Sequence, residues 1–162
     1  MRAKMRPTWP WSARLGSVPM SPPFIRRLEG RLWPFDQLDF LYTPSADVAA
    51  DARWFTEVLG GRLVFAIEAM GARVAMVELT DGPPHLLLTD HLEGDRPVFV
   101  YRVASIEATL AGLEERGWER VGSFEIPQGP CCSFRGPGGH RIAVYEVVRP
   151  GVSDHFTGRF DF

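Results

Sequence analysis

The chain has 162 residues, 45% of them apolar and 23% charged, with a formal net charge of −2. That length suits one domain or two small repeats, and the composition is rich enough for a real core. Near-balanced charge excludes a general nucleic-acid binder, and no apolar run reaches the roughly 20 residues that a bilayer crossing needs.

The charge is unevenly placed. Residues 1–28 carry six basic side chains (Arg2, Lys4, Arg6, Arg14, Arg26, Arg27) and no acid, with Pro7, Pro10, Pro19, Pro22 and Pro23 among them. Of the 18 basic residues 12 then remain, against 20 acidic ones, so the rest of the chain has a net of −8. The first stretch has neither helical nor strand periodicity, and no apolar block of the kind a secretory signal requires. Residues 1–35 are expected to be a disordered or poorly packed extension, the alternative being an upstream start codon with Met20 as the true beginning. Cys131 and Cys132 are neighbours and cannot staple a fold, which points to a reducing, cytoplasmic setting.

Leu38–Thr43 reads as a short strand ended by Pro44. Ser45 and Asp47 are helix-cap candidates, and Val48, Ala52, Phe55 and Leu59 line one helical face. Gly60 and Gly61 stop that helix. Arg62–Glu68 and Arg73–Leu79 form a hairpin around Met70-Gly71-Ala72, and His85–Thr89 follows as a fourth strand after Asp81-Gly82-Pro83-Pro84. The second half repeats the order. Pro97–Val103 is a strand, Ser105 caps a helix with Ile106, Leu110 and Leu113 as its stripe, and Gly117 ends it. Trp118–Ile126 and Cys131–Arg135 flank Pro127-Gln128-Gly129-Pro130, and His140–Val147 closes after Gly136-Pro137-Gly138-Gly139. Phe40 to Gly60 is 20 positions and Val98 to Gly117 is 19, so the elements repeat at nearly fixed spacing.

This tandem βαβββ pattern resembles the vicinal oxygen chelate superfamily of glyoxalase I, extradiol dioxygenases and bleomycin-resistance proteins. The matching stretches are Leu38-Asp39-Phe40, Asp47 through Trp54-Phe55 to Val58-Leu59-Gly60, and Gly136-Pro137-Gly138-Gly139-His140-Arg141-Ile142-Ala143-Val144-Tyr145-Glu146. The resemblance implies an α+β fold of curved mixed sheets, helices on the outer face and a concave cavity. Module one would cover 36–92, module two 96–150, and an aromatic tail 151–162. Members of the group do unrelated chemistry, so the fold leaves the function open.

Metal-dependent members take ligands from the first and last strand of each module. By the resemblance these positions fall on Phe40, Leu87, Val98 and Ala143, spaced 47 apart in module one and 45 in module two. None has a donor atom. His85 and Asp90 flank Leu87, but a working site needs several convergent ligands. The expectation is no cofactor, with metal-dependent catalysis disfavoured.

Strand alternation puts Tyr42 with Phe40, His85 with Leu87, Arg102 with Val98, and Tyr145 with Ala143 on the concave side. Leu41, Leu86, Leu88, Phe99, Val103, Ile142 and Val144 fall on the face beneath the helices. The concave set describes an aromatic-lined pocket and describes a filled core equally well. Arg102 is a candidate partner for a ligand carboxylate or phosphate, or for a surface acid. Glu68, Glu78 and Glu125 lie on middle strands with no partner to define an acid–base pair. Phe156, Phe160 and Phe162 in the tail are expected to dock, since three free phenylalanines expose costly apolar area. Three readings follow: a metal-free binder of a small apolar or aromatic molecule, a superfamily enzyme (lyase, isomerase or dioxygenase) with displaced ligands, and an interaction module with a filled cavity. Homodimerisation follows from the resemblance, and neither nucleic acid nor membrane is expected as a partner.

Overall fold

Each half of the chain folds as a strand, a helix and three strands. β1 (Gln37–Pro44), α1 (Val48–Arg53), β2 (Arg62–Ala69), β3 (Ala72–Glu78) and β4 (His85–Thr89) make the first module. β5 (Val98–Val103), α2 (Ile106–Glu114), β6 (Arg120–Ile126), β7 (Gly129–Arg135) and β8 (Arg141–Glu146) make the second. The computed structural model describes residues 33–162, so the extension expected over 1–35 lies outside the described residues except at its last three positions. Of these, Phe35 packs on Tyr101 with ring centroids 5.0 Å apart.

All eight strands join one sheet in the order β2-β3-β4-β1-β5-β8-β7-β6. The order is symmetric about its centre. β1 and β4 are parallel, as are β5 and β8, and each parallel pair needs its module's helix as part of the crossover. The modules fuse where β1 pairs antiparallel with β5. The result is one curved mixed sheet rather than separate sheets, because that central pairing leaves no edge between the halves.

Local sequence explains the helices. Asp47 caps α1, its carboxylate accepting from the Ala50 N–H at 3.0 Å, and Ser105 caps α2 from the Ala108 N–H at 3.2 Å. Ser45 instead donates to Asp51 at 2.6 Å. A π-helical turn over Trp54–Val58 then widens the first helix, and Gly60, at φ +73°, ends it. The wider turn rotates the expected stripe. Val48 and Ala52 are buried and Phe55 is partly buried, but Leu59 is 51% exposed. In β7 the strand takes up Gly129 and Pro130, so the β6–β7 turn shrinks to Pro127-Gln128.

The helix-side face holds two cores. Val48 and Ala52 of α1 pack with Ala75, Val77 and Leu88, and Ile106 and Leu110 of α2 pack with Val103 and Val144. The tail closes the structure. Val148 and Arg149 N–H groups donate to the Gln128 carbonyl beside β6, one edge of the sheet. Gly158 N–H then donates to the Val64 carbonyl, and Ala66 pairs with Phe160 at β2, the other edge. Phe156 meets the Phe65 ring at 5.9 Å, and Phe162 packs on the α1-side core beneath the Arg73 guanidinium, 5.2 Å from its centroid. Phe160 stays 56% exposed although its backbone pairs with Ala66 at the β2 edge.

Truncation after Val152 removes two partly buried phenylalanines and the β2 edge bonds. It should lower the thermal midpoint by on the order of 5 °C or more. Differential scanning calorimetry checks this, and an unchanged midpoint would refute tail docking as a source of stability.

Candidate functional site

The face opposite the helices carries Phe40 and Tyr42 of β1, His85 and Leu87 of β4, Val98, Val100 and Arg102 of β5, and Ala143 and Tyr145 of β8. Backbone register lines them into rows. His85, Phe40, Val100 and Ala143 form one row, and Leu87, Tyr42, Val98 and Arg141 the next. Phe40, Val98, Val100, Ala143 and Tyr145 pack into a third apolar cluster. The Phe40 ring lies 6.2 Å from His85 and 6.1 Å from Tyr145, bridging the modules. The four positions at which the family resemblance places metal ligands thus sit on one face, as apolar side chains.

A β-bulge shapes one end of this face. Leu38 pairs with Tyr101 and Phe40 with Val100, so Asp39 is an extra residue on β1. The bulge turns Asp39 to the same face as Phe40. Its carboxylate is 6% exposed, and burying an ion without partners costs several kcal/mol. The partners are present. Tyr145 OH donates to Oδ2 at 2.6 Å, Gln37 donates to Oδ1 at 2.8 Å, and Arg102 Nε stands 3.4 Å from Oδ2. Burial foremost, and then the hydrogen bond to Asp39, hold the Tyr145 hydroxyl far above the ordinary tyrosine range. Arg102, expected to meet a ligand or a surface acid, pairs with this buried acid. Its side chain remains 41% exposed, so part of the guanidinium is open to solvent.

The other polar groups nearby are engaged, with the His85 ring as the exception. His85 Nδ1 is buried without a hydrogen-bond partner and faces Glu78 Oε1 at 3.7 Å. Glu78 is held by Arg62 across β2 and β3. Glu68 and Glu125 pair with Arg73 and Arg149, which removes them as free bases. Tyr42 OH meets His91 Nε2 at 2.9 Å, and Thr89 Oγ1 meets Nδ1 of the same ring at 2.6 Å. Burial raises the Tyr42 hydroxyl, while its Thr89 contact opposes the shift. Among the described residues no group of three or more His, Cys, Asp or Glu side chains is placed to hold a metal ion.

Cys131 lies on the same face beside Tyr145. Burial first, and then the adjacent Cys132 thiol, push its pKa up to about 12. The thiol stays protonated near neutrality and is no nucleophile. Sequence reasoning missed Asp39 and Gln37 because strict alternation assigns Asp39 to the helix side. The only signal was an acid beside an aromatic residue in an otherwise apolar strand.

Comparison with solved structures returns the same architecture. Methylmalonyl-CoA epimerase from Mycobacterium tuberculosis aligns with a TM-score of 0.62 at 18% identity, over 76% of this chain and 95% of that one. A hypothetical protein from Bacillus halodurans aligns at 0.61 and 14%, over 71% and 96%. A Streptomyces coelicolor methylmalonyl-CoA epimerase in complex with 2-nitronate-propionyl-CoA aligns at 0.59 and 14%, over 70% and 96%. No family model and no curated protein matches the chain. The chain therefore has the fold of the vicinal oxygen chelate superfamily, to which methylmalonyl-CoA epimerase belongs.

Two outcomes follow from the buried groups. Tyr145→Phe strips a charge-assisted hydrogen bond from Asp39 and should cost about 1.5–3 kcal/mol in urea unfolding; a loss under about 0.5 kcal/mol would mean that Arg102 and Gln37 satisfy the carboxylate alone. For Cys131, the folded chain holds the thiol proton more tightly than the open chain does. Its contribution is full below the ordinary thiol pKa of about 9 and falls as pH rises toward about 12. The stability advantage of the wild type over Cys131→Ala should shrink across that window, and a pH-independent difference would contradict the assignment.

Proposed function

We propose that this chain binds a small apolar or aromatic molecule on the open face of its sheet, without a bound metal. The observation that carries the reading is the chemistry of the face itself. Phe40, Leu87, Val98 and Ala143 stand where ligands would be needed, and hydrocarbon offers a cation no lone pair. The donors nearby do not fit a divalent ion either. Both Asp39 oxygens are taken by Gln37, Tyr145 and Arg102, and Glu78 is held by Arg62. The partly exposed rings of Phe40 and Tyr42 offer stacking surface above the buried Tyr145, and the open side of Arg102 offers a charge for a polar substituent.

A superfamily enzyme is the competing reading, supported by neighbours named as methylmalonyl-CoA epimerases. It needs a donor free to move a proton. His85, with its unpartnered Nδ1 beside Glu78, is the residue that would serve.

The test is a thermal-shift titration with aromatic compounds, with and without chelator. A ligand present at a hundred times its Kd should stabilise the protein by about 2.7 kcal/mol, equally in both arms. Stabilisation that vanishes with chelator, or stoichiometric divalent metal in the purified protein, would overturn the metal-free reading.

A further inference from the structure

Away from the Asp39 cluster, the β4–β5 connection and the β7–β8 turn enclose a cleft of about 360 Å³. That volume lies at the small end of the range for small-molecule pockets. Three arginines line it: Arg96, Arg135 and Arg141. Arg135 and Arg141 sit directly opposite on β7 and β8. Like charges placed so destabilise a sheet unless something between them is negative.

Arg96 and Arg141 are oriented, and none of the three is in an ion pair among the described residues. Arg141 Nη1 donates to the Glu93 and Arg96 carbonyls at 2.7 and 3.0 Å, and Arg96 Nη1 donates to the Gly138 carbonyl at 2.9 Å. Carbonyls fix a guanidinium's direction and leave its charge in place. Arg62, Arg73, Arg102, Arg120, Arg149 and Arg159 each pair with an acid within 4.0 Å. Among the described residues Arg53, Arg96, Arg116, Arg135 and Arg141 do not, and three of these five converge on the one cleft. Glu93 and Asp95 also line it, so three cations and two anions leave the lining a net +1, and neither carboxylate comes within ion-pair distance of an arginine among the described residues. Gly139 lets Arg96 lie close to the turn, since a Cβ there would stand 3.1 Å from Arg96 Nη1.

We propose that this cleft binds the phosphoryl group of a small phosphorylated molecule. Guanidinium forks match phosphate oxygens in shape and charge, and a multiply charged anion answers three cations where a carboxylate answers one. The site borders the open face: Arg141 shares the row of Val98, at the end of β5 opposite Arg102, and uses none of the Asp39 cluster.

Calorimetric titration at fixed ionic strength with inorganic phosphate, pyrophosphate, adenosine diphosphate and acetate tests the proposal. Pyrophosphate should bind saturably and at least ten-fold more tightly than acetate. Adenosine diphosphate binding more tightly than pyrophosphate identifies an organic phosphate as the occupant, and the reverse order identifies inorganic phosphate; both support the site. Arg135→Gln should weaken pyrophosphate at least five-fold with a melting midpoint no lower than that of the wild type, since the Arg135 side chain makes no hydrogen bond or ion pair among the described residues and the change relieves its repulsion with Arg141. Asp95→Asn should tighten it. Equal binding of acetate, or wild-type affinity in Arg135→Gln, would overturn the proposal. Aromatic-ligand binding on the open face should be the same in Arg135→Gln, which separates failure of this site from failure of the other.

Discussion

The pairing of β1 with β5 is the constraint on which the rest of this structure depends. It converts two modules, each with a parallel β-pair and a helix, into one continuous sheet. Without it, each first strand would be an unpaired edge, and the rings that meet across the junction would have no opposing wall. The bulge within that pairing then decides what the open face offers. One extra residue puts Asp39 and Phe40 side by side on it, an acid against a ring.

A buried carboxylate is tolerated only where donors surround it, and the neighbouring strands supply them. Gln37 lies two residues away on β1, Arg102 comes from β5, and Tyr145 from β8. The cluster therefore ties the module junction to the second module through polar contacts, while Phe40, Val100 and Ala143 tie it through packing. The same logic separates the two candidate ligand regions. At one end of β5 the charges are matched inside the protein. At the other, three guanidiniums hold only neutral carbonyls or nothing, and the missing counter-charge belongs to a ligand.

The tail adds a second, weaker constraint. It bonds to the β6–β7 turn at one rim of the sheet and to β2 at the other. An edge strand with free N–H and C=O groups invites association, and these residues occupy the β2 edge within the same chain. Apolar area drives this docking, and the exposed Phe160 shows that backbone pairing, not burial of every ring, sets the geometry.

The order of elements, the duplicated modules, the Asp47 and Ser105 neighbourhoods as helix starts and the apolar character of the expected ligand positions were all legible in the amino-acid sequence. These features rest on local periodicity, caps and glycine stops, which act over a few residues. The faces beneath the helices were legible too, because alternation holds wherever strands are regular. Asp39 was not, since a bulge breaks alternation by one residue and only the partner strand reveals it. The π turn that turns Leu59 outward was hidden for the same reason: helical periodicity presumes an even pitch. The arginine cleft joins residues about 40 positions apart, and nothing in their local sequence distinguishes them from solvated surface charges. Sequence by itself determined what each segment becomes; only the tertiary structure decided which charges find partners, because charge pairing depends on distances between strands that the chain order does not specify.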